Sequence, residues 1–95
     1  MRNYEAMYVL RPDLDEEQVN AAIEKFSEII ANNGGEVTKV EQWGKRRLAY
    51  EVQKLREGFY VLCNFAADTE LPKELERNFK ISDQVIRYLV IREGE

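Results

Sequence analysis

The amino-acid sequence predicts an α+β fold of four strands and two helices, in the order β-α-β-β-α-β, as one domain over residues 1–95. Three observations lead to this prediction: one long apolar stripe at helical spacing, a second and shorter one, and strand-like segments before, between and after them. At 95 residues the chain can bury one hydrophobic core but not two.

The first strand is predicted at residues 2–10, which are rich in β-formers and lack breakers. Pro12 follows it and cannot continue the pairing. Asp13 and Asp15 are both candidate N-caps for a helix, and Asp15 followed by Gln18 resembles a capping box. The chain therefore turns from strand to helix within about five residues.

The first helix is predicted from a single apolar stripe with spacings of three and four residues. The stripe consists of Val19, Ala22, Ile23, Phe26, Ile29 and Ile30. Two asparagines and two glycines at 32–35 are typical of a helix C-terminus. We expect this stripe to face the core.

Residues 36–53 are predicted to form the second strand, with a bulge or bend near Gly44. The bend is needed because Val37 and Val40 are out of phase, whereas Leu48, Tyr50 and Val52 alternate. We expect a hairpin turn at 56–58 and a third strand at 59–67, whose odd positions are all apolar.

The second helix is predicted to open at Asp68 or Thr69, with Pro72 tolerated in its first turn. Its buried stripe has a spacing of four and consists of Leu71, Leu75 and Phe79. Residues 82–83 end the helix. Residues 85–92 form the last strand, in which Ile86, Tyr88 and Val90 are expected to point toward the helices.

This order of elements is the split βαβ, or ferredoxin-like, pattern. Right-handed crossovers then place both helices on one face of a four-stranded antiparallel sheet, with the first and third strands in the centre. The other face is open and is predicted to expose Met7, Val9, Leu62, Leu89 and Ile91. Such a patch indicates either a partner surface or the ordinary apolar exposure of a half-open sheet.

Charge is strongly polarised along the chain, although the net charge is only −4. Residues 12–36 hold seven acids and one base, whereas residues 39–56 hold six bases and two acids. A phosphate group responds to the local patch within a Debye length of roughly 8 Å, not to the net charge. An acidic total therefore does not exclude an RNA-binding surface.

The residue types needed for catalysis or metal binding are scarce. Cys63 is the one cysteine and there is no histidine, so the sequence predicts no disulfide, no zinc site, no cofactor and no activated nucleophile. An acylphosphatase of this topology would need a glycine-rich first loop, but residues 11–15 contain no glycine and two acids. We predict a non-enzyme, with a small-ligand-binding regulatory domain as one alternative.

Two groups of residues are candidate binding sites. The first comprises arginines of the first and last strands: Arg2 is expected near Arg92, and Arg87 across from about Met7, where they either grip phosphates or serve solubility. The second surrounds Trp43, which could stack on a base, anchor a protein partner or close over the core. No apolar run reaches 18 residues and no signal-peptide core is present, which predicts a cytoplasmic protein without a membrane partner.

The segment Gly44-Lys45-Arg46-Arg47-Leu48-Ala49-Tyr50-Glu51-Val52 resembles the signature of bacterial small-subunit ribosomal protein six. Residues 1–5 and 81–87 are also similar to that family. The resemblance implies a structural constituent of the small ribosomal subunit. It also implies a heterodimer with small-subunit ribosomal protein eighteen, and binding of the pair to a junction in the central domain of the small-subunit ribosomal RNA. A basic partner would account for the acidic total of this chain.

Carried onto this sequence, the resemblance implies two sets of contact residues. The protein partner would meet the edge of the second strand at Trp43, Lys45, Arg46, Arg47 and Leu48. The RNA would meet Arg2, Tyr4, Tyr60, Arg87 and Arg92.

Overall fold

Four antiparallel strands and two helices make up the computed structural model, which describes residues 1–94. The elements are β1 (Arg2–Leu10), α1 (Glu16–Asn32), β2 (Glu36–Val52), β3 (Leu55–Ala67), α2 (Leu71–Ile81) and β4 (Val85–Arg92). The strand order is β2-β3-β1-β4, so β1 and β3 are central and β2 and β4 are edges. The predicted ferredoxin-like α+β fold is confirmed.

The start of α1 shows which aspartate caps the helix. Asp15 accepts a hydrogen bond from the backbone N–H of Gln18 at 2.8 Å, and the Gln18 side chain accepts one from the backbone of Asp15 at 3.0 Å. This is the predicted capping box. Asp13 instead pairs with Arg11 at 3.2 Å. The two acids of the first connection thus hold the chain in its turn toward the helix.

An aromatic cluster lies at the centre of the core, between the sheet and both helices. Phe26 of α1 lies 5.1 Å from the Tyr8 ring of β1 and 4.7 Å from the Phe79 ring of α2, measured between centroids. Each of these three side chains is at most 2% exposed. The predicted stripes of both helices face this cluster, with Ile23 and Ile29 half-buried at its margin.

The hairpin between β2 and β3 turns earlier than predicted. Its turn lies at Gln53 and Lys54, whose φ angles are +51° and +65°, and β3 already begins at Leu55. Two successive positive φ angles are typical of the two-residue turn whose twist matches that of the flanking strands. The prediction of a turn at 56–58 was wrong because it followed Gly58, which lies within β3.

Gly58 is required for space rather than for backbone conformation. A Cβ atom at this position would lie 2.3 Å from Val9 Cγ1 and 3.1 Å from the carbonyl oxygen of Leu10. Its φ is not in the left-handed region, so the absence of a side chain is what matters. The missing side chain lets β3 pass directly against the neighbouring residues of β1.

The second helix also begins differently from the prediction. Glu70 occupies the N-cap position without a side-chain hydrogen bond, so neither Asp68 nor Thr69 caps α2. The backbone carbonyl of Asp68 accepts a hydrogen bond from the N–H of Leu71 at 3.2 Å, which forms a turn ahead of the helix. Pro72 stands in the first turn, where no N–H is needed. Leu71, Leu75 and Phe79 are buried as predicted.

Irregular pairing in the two edge strands changes which side chains face which layer. In β4, Arg87 pairs with Val9 but Val85 pairs with Leu10, so Ile86 is an extra residue. The prediction that Ile86 points toward the helices was therefore wrong, because the bulge turns it to the open face, where it contacts Val9.

Within residues 1–94, neither helix has the length and the hydropathy of a membrane span.

Candidate nucleic-acid and protein interface

The open face of the sheet carries an apolar row that runs across three strands. Leu89, Met7 and Leu62 are register partners on β4, β1 and β3. Leu89 is 55% exposed, and Ile91 beside it is 45% exposed. Met7 and Leu62 are half-buried with no helix above them. This aliphatic row is the predicted exposed patch, except for Val9.

Val9 is buried because the β2–β3 hairpin extends past the sheet and folds over one end of the open face. We call residues 45–57 of this hairpin the arm. Leu48 of the arm packs on Val9 and Ile86, with 5% of Leu48 exposed. Val52, Leu55 and Tyr60 complete this second, smaller apolar cluster. The open face is therefore shorter than predicted.

Leu48 was predicted to contact the protein partner, but its side chain is buried against the sheet of its own chain. Its contacts with Val9 and Ile86 hold the arm on the sheet. Its neighbours Lys45, Arg46 and Arg47 remain exposed or half-exposed on the same strand. Leu48 is buried while its two neighbours, Arg47 and Ala49, are exposed, as strand alternation predicts for a segment with one covered face.

Trp43 lies at a bulge in β2, since Gln42 pairs with Val61 and Gly44 with Tyr60. Its indole is 40% exposed, and the Arg46 guanidinium carbon lies 5.1 Å from the ring centroid. The Arg46 Nε also donates a hydrogen bond to the Trp43 carbonyl at 3.5 Å. The tryptophan therefore stays at the surface with an arginine on its ring and does not close over the core.

Arg87 lies on the open face, at the end covered by the arm. It pairs with Val9, two residues from the predicted neighbour Met7. Its guanidinium carbon is 4.9 Å from the ring centroid of Tyr50, which belongs to the arm and is 62% exposed. Tyr60 reaches Val9 from the opposite side and is half-buried. Arg87, Tyr50 and Tyr60 thus surround one end of the open face.

Arg2 and Arg92 lie at the other end of the sheet. Arg92 pairs with Tyr4, and Arg2 pairs with Ala67. Arg87 is five residues from Arg92 along β4, a separation of roughly 17 Å at ~3.3 Å per residue. The predicted group of three arginines is therefore divided between two ends, and Arg2 shares its strand face with Tyr4 rather than with the open-face residues.

Tyr4 was predicted to contact RNA, but the structure places it in the core. Its side chain is 6% exposed and stacks on Phe65 with a centroid distance of 5.5 Å. Strand alternation puts Tyr4 on the same face as Ala6 and Tyr8, beneath the helices. Tyr4 is therefore a core side chain and is not a proposed RNA contact.

A polar group separates the apolar row from the end that holds Arg2 and Arg92. The Asn64 side-chain amide donates a hydrogen bond to Glu5 Oε2 at 3.4 Å and another to Glu93 Oε1. The backbone N–H of Glu93 donates to the Asn3 carbonyl at 2.9 Å. These contacts make this end of the open face acidic, whereas the arm end is basic.

Residues 1–94 show no group of three metal-ligating side chains. Cys63 lies in β3 under the helices, and burial raises the pKa of its thiol to about 11. Burial likewise raises the pKa of the Tyr8 hydroxyl far above its usual range. Both groups are therefore neutral near pH 7 and act as core side chains.

Sequence reasoning missed the pairing of Tyr50 with Arg87 and the role of Gly58. Tyr50 was seen only as one member of an alternating set with Leu48 and Val52. The alternation alone does not show that Leu48 is buried against the sheet whereas Tyr50 is exposed. The five bases and two acids of residues 45–57 were the available signal that this segment is a surface.

Comparison with known proteins agrees with the fold. A sequence model of the family described as Ribosomal protein S6 matches residues 3–92. The small ribosomal subunit protein bS6 of Clostridium acetobutylicum is 56% identical over 91 residues, which cover 96% of each chain. That of Desulforamulus reducens is 52% identical over 95 residues, the full length of both.

A solved structure supports the same relationship. The crystal structure of 30S ribosomal protein S6 from Thermotoga maritima superposes with a TM-score of 0.92 at 33% sequence identity. The match covers 97% of this chain and 87% of the other.

Proposed function

Since this chain belongs to the ribosomal protein S6 family, we propose that it binds a junction in the central domain of small-subunit ribosomal RNA together with small-subunit ribosomal protein eighteen. Like the other members of its family, the chain is a structural constituent of the small ribosomal subunit in the cytoplasm. It is not an enzyme. The family assignment over residues 3–92 leaves the regulatory-domain alternative without support.

One observation carries the proposal: an aliphatic surface and a basic surface lie side by side on the same face of the sheet. The aliphatic row of Met7, Leu62 and Leu89 adjoins the arm, with Arg87 at the border. A partner protein and an RNA could therefore contact the chain at once and also contact each other. Binding of either would then favour binding of the other.

The aliphatic row suits a protein rather than RNA. Single-stranded RNA is bound on open sheets by aromatic rings that stack on bases, and Met7, Leu62 and Leu89 have none. Desolvation of aliphatic side chains stabilises protein–protein contacts by roughly 25 cal/mol per Å² of apolar area. We therefore place protein eighteen on this row and along the neighbouring edge of β2, at Trp43, Lys45, Arg46 and Arg47.

The arm end suits RNA because its charge opposes that of phosphate. The acids of residues 12–36 belong mainly to α1, on the covered side of the sheet, so they do not repel a phosphate at the arm end of the open face. Arg87 and Tyr60 are the proposed contacts at this end, and Arg2 and Arg92 are a separate contact at the other end. Phosphate contacts would set position, and RNA shape would set specificity.

The first test is RNA binding by this chain alone and with protein eighteen, at two salt concentrations. The chain alone offers few basic contacts and is expected to bind the central-domain junction weakly, with tight binding when the partner is present. Equal affinity with and without the partner would contradict joint binding. No binding in either condition would contradict the RNA assignment.

Replacing Arg87 with alanine is expected to weaken RNA binding by roughly tenfold, or ~1.4 kcal/mol. Loss of one phosphate contact should also lower the slope of log affinity against log salt by about 0.7–0.9. The thermal midpoint should hardly change, because Arg87 is exposed. The matched control is Lys25→Ala, which removes the same charge from α1, and it should leave RNA affinity unchanged. Equal affinity of the Arg87 variant and the parent at several salt concentrations would remove Arg87 from the RNA site.

Replacing Leu89 with lysine is expected to weaken binding of protein eighteen by thirtyfold or more. A charge placed in a dry apolar contact must be desolvated, at a cost of about 2 kcal/mol or above. Isothermal titration with the purified partner measures the loss. Ile81→Lys is the control, because Ile81 is 68% exposed at the end of α2, away from the open face. Unchanged affinity of the Leu89 variant would place the partner elsewhere.

A further inference from the structure

Tyr50 is a large ring that the fold holds outside the core. It is 62% exposed, more than Trp43 or any aliphatic residue of the open face. One side of its ring is occupied by the Arg87 guanidinium, at 4.9 Å from the centroid. The exposed remainder of the ring is available for a further contact.

The arm that carries Tyr50 is fixed on the sheet. Leu48 lies two residues before Tyr50 and is 5% exposed against Val9 and Ile86, and Val52 lies two residues after it in the same cluster. Gly58 allows the close approach that this packing needs. Tyr50 therefore stands on an anchored strand, so little conformational entropy would be lost when it binds.

The arm around Tyr50 is basic, although Leu48 and Val52 flank the ring on the same strand. Residues 45–57 carry five bases and two acids, and Lys54 and Arg56 among the bases lie outside the edge proposed for protein eighteen. One of the acids, Glu51, pairs with Arg56 at 3.4 Å. Arg87 adds a further cation directly on the ring. An aromatic ring among cations matches a nucleotide, whose base has a π face and whose phosphate is an anion.

We propose that Tyr50 is a base-stacking residue, which receives an unpaired base of the bound RNA on its free face. Arg87 lies on the opposite face of the ring, so its N–H groups can reach the phosphate of the same or the next nucleotide. This inference rests on the proposed RNA binding and deepens it, because it assigns a single-stranded or bulged nucleotide, not a duplex, to the arm.

The test compares four variants for binding to the central-domain junction RNA with protein eighteen present, over a series of salt concentrations. Tyr50→Leu keeps an apolar side chain but removes the ring, and Tyr50→Phe keeps the ring. Arg87→Ala removes the charge, and the double variant reports the coupling between the two. Thermal midpoints and affinity for protein eighteen without RNA are measured for each.

Tyr50→Leu is expected to weaken RNA binding by between 5-fold and 150-fold, which corresponds to ~1–3 kcal/mol per stacked base. Its salt slope should equal that of the parent, because no phosphate contact is lost. Tyr50→Phe should bind within about twofold of the parent, and affinity for protein eighteen alone should be unchanged in both.

Four results would overturn the inference in different ways. Parental RNA affinity of Tyr50→Leu, alongside weakened Arg87→Ala, would reject stacking and leave the proposed RNA site intact. A salt slope lowered in Tyr50→Leu as in Arg87→Ala would show that Tyr50 only orients Arg87. Loss of affinity for protein eighteen would assign Tyr50 to the protein interface. If neither variant changed RNA binding, the RNA site itself would fail.

Discussion

Replacing Phe26 with alanine is expected to lower the free energy of unfolding by ~3–5 kcal/mol, the largest effect anticipated for a single side chain here. Phe26 is 2% exposed and contacts both the Tyr8 and Phe79 rings. Its removal leaves a cavity where sheet and both helices meet, and the strands around it cannot move inward without breaking their pairing. Equilibrium denaturation in urea measures the change.

Ile81→Ala is the matched control for the Phe26 variant, because it also truncates a large apolar residue on a helix. Ile81 is 68% exposed, so its loss should cost no more than about 0.5 kcal/mol. Equal unfolding midpoints for the Phe26 variant and the parent protein would show that α1 does not pack on β1 and α2 as described.

The second large effect is expected at Gly58, where alanine should destabilise the protein by about 1–3 kcal/mol through overpacking. The added Cβ would meet the Val9 side chain at 2.3 Å and the Leu10 carbonyl oxygen at 3.1 Å. Neither atom can move away easily, because valine has few side-chain rotamers and the carbonyl oxygen belongs to the backbone of a central strand. Alanine would otherwise be slightly stabilising in a strand, so the sign of the change is informative.

A double-mutant cycle separates the steric cause at Gly58 from a general loss of strand structure. Val9→Ala removes the Cγ1 atom that the new methyl group would meet, so Gly58→Ala should cost less in that background than in the parent. The carbonyl contact with Leu10 remains, and the rescue should therefore be partial. Equal costs in both backgrounds would contradict the close packing of β3 on β1.

Local residue patterns were sufficient for the elements whose signals repeat along the chain. The stripe of α1, the capping box at Asp15 and the alternation of β3 each combine several positions, so each could be predicted. The β2–β3 turn could not, because Gln53 and Lys54 adopt positive φ angles without the glycine or asparagine that usually signals them. The turn was instead predicted at 56–58 because Gly58 is a typical turn residue, although it lies within β3.

The candidate site was predicted less well than the fold. Exposure of Arg87 and the basic character of the second strand could be read from residue types and order, whereas the sequence left open whether Trp43 closes over the core. The burial of Leu48 could not, because it depends on the arm folding over the sheet. The burial of Tyr4 follows from the predicted outward direction of Met7 and Val9, because alternate residues of a strand face opposite sides, and only the family resemblance gave Tyr4 an RNA role. A bulge that inserts one residue, as at Ile86, reverses the predicted face of a side chain without leaving a clear mark in the sequence.

Residue patterns were enough to predict the α+β class, the order of elements, the central position of β1 and β3 and the polarity of charge. These follow from periodicity, right-handed connections and composition, all of which are local or topological. Three features became visible only in the folded chain: the arm folds over the sheet, Tyr50 contacts Arg87, and the arginines divide between two ends. These features depend on strand register and on contacts between residues such as Leu48 and Ile86. The two residues are 38 positions apart, and a local sequence pattern cannot show that they are in contact.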